Sequence, residues 1–316
     1  MEYVKIKGFN ISKYTLGTVQ LGMKYGIANK TGKPGLSESF NILSTAVQAG
    51  VNSFDTSLHY EESEKVLGMF FAEEKNLAGM VNKPVITTKF KTGMEEGASP
   101  VEIEKKMREC AGISLEHLKI NKIPVYLLHD PKELYKHGKI LADVMKRLKD
   151  EGIIEIAGAS VYTCEEACEV LKYDVYEAIQ LPINAFDSRF IKSGVLKKLQ
   201  DAGMLVFART IFLQGLFFLD PAELKGNLAD AGEYLVILNK LAEREGISTA
   251  QLALSYIRDM DGITSLVVGA ETAGQVKENI TLMNGPAISE KTRNEMLNLF
   301  ENVPLHVLVP SMWKLG

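Results

Sequence analysis

VNSFDTSLHYEESEKVLGMFFAEEK, residues 51–75, reads as one strand, one polar turn and one helix. VNSFDTS (51–57) is short and β-rich, and SEKVLGMFFAEEK (63–75) switches to apolar residues at helical spacing. The same unit repeats in both directions. Upstream stand the strand YTLGTV (14–19) and the helix SESFNILSTAVQAG (37–50), with Ser37 or Ser39 as cap and Gly50 as stop. Downstream, VITTKF (85–90) precedes a helix over 100–118 that begins at Pro100, a normal first-turn residue. IPVYLLHD (123–130) precedes a helix over 137–151, EIAGASV (155–161) precedes CEEACEVLK (164–172), and EAIQLPI (177–183) precedes RFIKSGVLKKLQDAG (189–203). MLVFART (204–210) leads through a longer excursion to STAQLALSYIRD (248–259), and SLVVGA (265–270) leads to AGQVKENITLM (273–283).

Strands that alternate with helices imply a parallel sheet, and their apolar character fits strands covered on both faces. Eight such units, each crossing over right-handed, fit a closed (β/α)8 TIM barrel. Outside the count, residues 2–14 alternate around Gly8 and Asn10 like a β-hairpin able to plug the closed end. Residues 229–245 and 288–301 read as two extra helices. No linker or low-complexity tract divides the chain, so residues 1–316 are expected to form one barrel domain.

A net charge of −4 leaves no footprint for nucleic acid, and no stretch approaches the length of a membrane span. Of three cysteines, Cys164 and Cys168 share a helix face, but no further ligands stand near them, so no metal site is expected. MEYVKIKGFN has no apolar run long enough for a signal peptide, and a reduced, cytoplasmic protein is expected, monomeric or a small homo-oligomer.

In such a barrel the chemistry sits where the strands end. Those ends supply Asp55, Lys89 and His129 on successive strands, with Tyr60 five residues past Asp55. They also supply Ser160, Gln180, Arg209 and the run Gly269 to Glu271. A phenol exchanges protons poorly at neutral pH, and a neighbouring ammonium favours its anion. Lys89 is thus expected to lower the pKa of Tyr60, with Asp55 keeping Lys89 charged and His129 binding a substrate oxygen. Such a group would protonate a carbonyl oxygen as negative charge develops on it. The set holds no nucleophile–base pair for acyl transfer, so a hydride from a nicotinamide is the natural attacker. Each residue alone also suits a duller role as turn, cap or packing residue; their convergence on three consecutive strands favours chemistry.

At these residues the chain resembles the aldo-keto reductase superfamily. DTSLHYEESEKVLG (55–68), TTKF (87–90), YLLHDP (126–131), YTLGTVQLG (14–22), GASV (158–161) and VVGAETAGQVKENI (267–280) carry the resemblance in order. It implies NADP or NAD extended across the barrel mouth. Tyr60 would be the general acid, Lys89 and Asp55 its tuning pair, and His129 the orienter of the carbonyl. Ser160 and Gln180 would bind the nicotinamide carboxamide, and Gly17 and Thr18 would approach the cofactor by backbone. Leu213, Gln214 and Gly215 would lie over the pyrophosphate, and Gly269, Glu271, Gln275, Glu278 and Asn279 would form the far end of the cofactor site.

Three positions depart from the family pattern. Val161 replaces an asparagine that would bind the carboxamide. Arg209 replaces a tyrosine that would stack on the nicotinamide; its guanidinium could stack there too, at a cost to the cationic oxidised ring, or turn toward the pyrophosphate. Glu271 stands where basic residues usually meet the adenosine 2′-phosphate, with only Lys277 nearby. A carboxylate there would repel that phosphate and favour NAD(H), although Glu271 also suits a helix start.

The substrate is expected to be a small carbonyl or sugar compound. Loops 20–36 and 211–229 and the tail LHVLVPSMWKLG would set specificity, with Trp313 either folding over the substrate pocket or, the favoured reading, packing on the barrel wall. Lys24, Tyr25, Asn29 and Lys30 in the first loop suit a hydroxylated substrate. Two other readings compete: a lyase using Lys89 as a Schiff-base amine, and a non-catalytic sensor of nicotinamide redox state.

Overall fold

The computed structural model describes residues 1–29, 31–78 and 80–314. Its chain begins with an antiparallel hairpin, β1 (Tyr3–Ile6) and β2 (Phe9–Ser12). Eight parallel strands follow: β3 (Tyr14–Gly17), β4 (Ser53–Asp55), β5 (Val85–Phe90), β6 (Ile123–Leu128), β7 (Ile154–Ser160), β8 (Tyr176–Pro182), β9 (Leu205–Arg209) and β10 (Ser265–Gly269). They close in the order β10-β3-β4-β5-β6-β7-β8-β9, a (β/α)8 TIM barrel with helices around it. The two extra helices are Gly232–Glu245 and Glu290–Leu299.

Side chains alternate sides along a strand, so one choice of parity fills the barrel interior. Val85, Val125, Leu127, Ile156, Ala178, Leu205 and Phe207 form a buried inner cluster, closed at the N-terminal end by Ile11 and, partly buried, Ile6 and Phe9 of the hairpin. The hairpin is therefore a plug. Beside this cluster, Thr15 hydrogen-bonds Ser53 at 2.7 Å and Ser265 at 2.6 Å, so the hydroxyls satisfy one another out of water. Continuing the same parity to the strand ends turns Gly17, Asp55, Lys89, His129, Ser160, Gln180, Arg209 and Gly269 toward the barrel axis. The opposite parity, including Phe54, Ile86, Phe90, Tyr126 and Leu128, packs under the helices.

Several boundaries differ from the sequence expectation. The strand expected over 51–57 is regular only over Ser53–Asp55, because the residues that follow turn toward Tyr60. The helix expected from 137 starts at Lys132, whose N–H meets the Asp130 carboxylate at 3.1 Å while Pro131 pre-sets the turn. The helix expected over 189–203 is two, Arg189–Lys192 and Val195–Asp201, broken at Gly194 with φ +72°. The first long helix, Leu36–Gln48, starts at Gly35 rather than at a serine cap, and the Ser39 hydroxyl has no partner. Ser99 and Glu102 form a reciprocal capping box ahead of Pro100. Trp313 packs against the core and donates to the Val307 carbonyl at 3.1 Å. Lys30 lies outside the described residues.

Close packing at one glycine fixes the mouth. A Cβ on Gly22 would stand 1.8 Å from the Tyr60 carbonyl oxygen, so the short helix Val19–Gly22 sits directly on the segment bearing Tyr60. Gly112, in the helix Pro100–Leu118, has open space where its Cβ would be. Gly22→Ala is expected to cost about 1–3 kcal/mol through overpacking. Gly112→Ala is expected to be neutral or to gain up to about 1 kcal/mol through helix propensity. Urea unfolding of the two variants checks the pair, and equal effects would contradict the packing argument.

Candidate active site

Lys89 sits in the inward row of β5 and is fully buried. Its ammonium has three protons and three acceptors: the Asp55 carboxylate at 2.8 Å, the Thr56 carbonyl at 2.8 Å and the Tyr60 hydroxyl at 3.5 Å. The other Asp55 oxygen accepts from the Gln180 amide at 2.7 Å, and the Gln180 carbonyl oxygen accepts from Ser160 at 3.4 Å. A hydrogen-bonded chain therefore runs Tyr60–Lys89–Asp55–Gln180–Ser160 across the mouth.

Tyr60 reaches this chain from a loop that is tightly held. Thr56 N–H donates to the Thr87 carbonyl at 2.8 Å, and Leu58 N–H to that of Lys89 at 3.1 Å. Behind the loop, the buried hydroxyls of Thr18, Thr56 and Ser63 interlock at 2.7 and 2.8 Å, and Thr18 also donates to the Asp55 carbonyl at 2.9 Å. The Thr18 side chain is thus tied behind the loop that carries Tyr60, which leaves its backbone for the expected approach to a cofactor. Gly17 does line the cavity.

The electrostatics correct one expectation. The Tyr60 phenol is pushed well above its usual range, by burial first and then by Asp55, against a smaller opposing pull from Arg209. Lys89 does not turn it into a ready phenolate, because the ammonium's charge is met by Asp55 at 2.8 Å. Burial in turn pulls the Lys89 ammonium down, opposed by Asp55. His129 is pushed down to about 2, by burial and then by the positive charges of Lys89, Lys91, His59 and Arg209. Its imidazole is therefore neutral. The Ser57 hydroxyl lies 3.1 Å from Nδ1 and 3.3 Å from the Lys89 carbonyl. The direction of the Ser57–Nδ1 contact sets which ring nitrogen carries the proton.

These groups open onto a cavity of about 480 Å³, a size suited to cofactors and small ligands. Asp55, Tyr60, His129, Ser160, Gln180 and Arg209 line it near the barrel axis. Gly269, Glu271, Gln275, Glu278 and Asn279 line it toward the helix Ala273–Met283. Gln214 and Gly215 form part of its roof, where Gln214 donates to the Tyr25 hydroxyl at 2.9 Å and accepts from Ile27 N–H at 3.1 Å. Leu213 is fully buried in the core and does not line the cavity, and neither does Lys89. Among the described residues, no three His, Cys, Asp or Glu side chains gather as a metal site.

The family profile for the Aldo/keto reductase family matches residues 13–297. The chain belongs to the aldo/keto reductase family. Aldo-keto reductase YhdN of Bacillus subtilis is 25% identical over 330 residues, covering 96% of this chain and 94% of the relative. L-glyceraldehyde 3-phosphate reductase of Escherichia coli K12 is 25% identical, covering 79% and 80%. In fold, the chain is similar to aldo-keto reductase AKR11C1 from Bacillus halodurans, with TM-score 0.74, 21% identity and coverage of 95% and 96%.

Several cavity residues of this aldo/keto reductase were not legible as such. Gln20 faces Gly269 with a buried carbonyl oxygen that lacks a partner, an open acceptor at the cavity wall. Tyr162, Phe212 and Phe218 form an aromatic rim. Only Tyr162, two residues past Ser160 at a strand end, carried a positional signal. Arg209 stacks on Tyr162, with Cζ 4.4 Å from the ring centre, and donates to the Val161 carbonyl at 3.0 Å.

The neutral imidazole has a thermodynamic consequence. Its folded pKa lies below the unfolded value of about 6.5, so its contribution is intact above that pH and is lost as pH falls toward 2. The stability advantage of the natural chain over His129→Gln should therefore shrink below about pH 6.5, by up to about 1.4 kcal/mol per pH unit. Urea unfolding of both proteins across that range tests it; parallel pH profiles would show that His129 is charged when folded.

Proposed function

We propose that this chain is an NAD(P)H-dependent reductase of an aldehyde, ketone or sugar carbonyl, with Tyr60 as general acid. The observation that carries the reading is the Tyr60 hydroxyl, protonated, lining the cavity and 3.5 Å from the Lys89 ammonium. A nicotinamide held by the cavity residues would supply the hydride for the carbonyl carbon. As the C=O π pair moves onto oxygen, Tyr60 transfers its proton there, and Lys89 faces the phenolate left behind. His129, neutral, donates a hydrogen bond to the same oxygen and fixes the carbonyl's direction. The high phenol pKa suits reduction, since the donor stays protonated beyond about pH 10.

The donor set fits the cofactor. Ser160, Gln180 and the unpartnered oxygen of Gln20 offer amide-type partners, while Gly17, Gly215 and Gly269 let a ligand approach the backbone. With the proton-transfer groups at one end of the cavity, the adenosine belongs at the other. There Glu271 sits under the Thr31 hydroxyl at 3.3 Å, with its carboxyl raised by burial. The Glu38 carboxylate accepts the Ala273 N–H at 3.0 Å, and Thr272 accepts that of Gln275 at 3.1 Å, so the helix terminus is already served by protein oxygens. Two carboxylates there favour NAD(H) over NADP(H).

A Schiff base on Lys89 is opposed by the amine's full burial and its three acceptors. A sensor without turnover is separated by experiment. Tyr60→Phe should lower kcat by about 10²–10⁴-fold while fluorescence titration finds cofactor binding kept; equal slow rates in both proteins would favour the sensor. Glu271→Arg should tighten NADPH relative to NADH by about tenfold. An unchanged ratio would show that Glu271 does not discriminate.

A further inference from the structure

Arg209 is the only lysine or arginine among the described residues that lines the cavity. It makes no ion pair with any described carboxylate. Its recorded partners are the Val161 carbonyl at 3.0 Å, the Thr210 hydroxyl at 3.3 Å and the face of Tyr162. A guanidinium carries five N–H donors, so these contacts leave capacity unused. The acids that share the cavity do not answer it. Asp55 is bound to Lys89 and Gln180, and Glu271 and Glu278 stand toward the helix Ala273–Met283. An unpaired charge in a partly closed cavity is costly, and a ligand anion relieves that cost.

The charge also lies within reach of the reacting groups. Arg209 pulls the Tyr60 phenol down and helps push the His129 imidazole down. Stacking on Tyr162 and donation to Val161 hold its plane, as bidentate recognition of an oxoanion requires. Beside it, Tyr162 and Phe218, 44% and 55% exposed, offer apolar faces to the carbon skeleton of a substrate.

We propose that Arg209 is the anion anchor of the substrate site, so that the preferred substrate is a carbonyl compound bearing a carboxylate or another oxoanion. The inference rests on the reductase reading above. It assigns the guanidinium to the substrate and not to the cofactor.

The test compares succinic semialdehyde with its uncharged amide and with butanal, and adds glyceraldehyde 3-phosphate against glyceraldehyde to separate phosphate from carboxylate. The unmodified enzyme should favour at least one anionic member over its neutral counterpart by about tenfold or more in kcat/KM, through KM. In Arg209→Gln that ratio should collapse, and Arg209→Lys should restore part of it. A preserved ratio, or a loss of NADH affinity with the ratio intact, overturns the proposal. Should Arg209→Gln fail to fold, inhibition of the unmodified enzyme decides: succinate competing with the carbonyl substrate while succinamide does not supports the anchor, and equal inhibition overturns it. If no carbonyl is reduced at all, the reductase reading fails by itself. Succinate binding to the enzyme–NADH complex, lost in Arg209→Gln, would still uphold the anion site, and no such binding would end it.

Discussion

The mouth of this barrel depends on one buried ion pair. Lys89 has no exposure to water, and a lone ammonium there would shed its proton. Asp55, one strand away, keeps the charge in place at 2.8 Å. Its second oxygen is held by Gln180 from the far side of the barrel, so three strands are tied at one level. Removing either partner would strand the other charge in the core, at about 3–5 kcal/mol. The arrangement is open to a closed barrel because every strand delivers one inward side chain to the same height.

That pair divides the protonation states of the site. Burial pulls the Lys89 ammonium down, and Asp55 at 2.8 Å opposes that pull. Tyr60 stays neutral through burial and the nearby Asp55 carboxylate, and His129 through burial and the positive charges around it. The expectation of a phenol acidified at rest is replaced by a different picture, a protonated phenol beside a buried ammonium. On the reductase reading proposed above, that ammonium would face charge that appears only during proton transfer, where such an interaction accelerates a reaction.

The strand ends were legible because a period of two is a property of sequence alone. Asp55, Lys89, His129, Ser160 and Gln180 follow from the parity of their strands, and the hairpin follows from its alternation around Gly8. Tyr60 was legible through its spacing from Asp55 and the resemblance, since loop geometry carries no period. Leu213 went the other way. It lies beside residues that line the cavity, yet local backbone direction turns it, at φ 48°, into the core. Helix ends were misplaced where a proline, an aspartate or a left-handed glycine outweighed periodicity, as at Pro131 and Gly194. The aromatic rim and Gln20 were illegible, because their neighbours come from loops far apart in the chain.

Rigidity and exposure are distributed unevenly around the cavity, and the division has a chemical logic. Tyr60 is carried on a loop, yet the hydroxyls of Thr18, Thr56 and Ser63, together with Gly22 against its carbonyl, give that loop the fixity of a strand. Proton transfer tolerates little displacement, and a proton donor at Tyr60, as proposed above, would be braced from behind. Tyr25, Tyr162 and Phe218 also line the cavity, with exposed faces. Contacts made there can change shape and charge preference without moving Lys89, Asp55 or Tyr60. On the proposed reading the barrel would thereby separate the groups that perform the chemistry from those that choose what undergoes it, and Arg209, rooted in β9 but leaning on Tyr162, stands where the two sets meet.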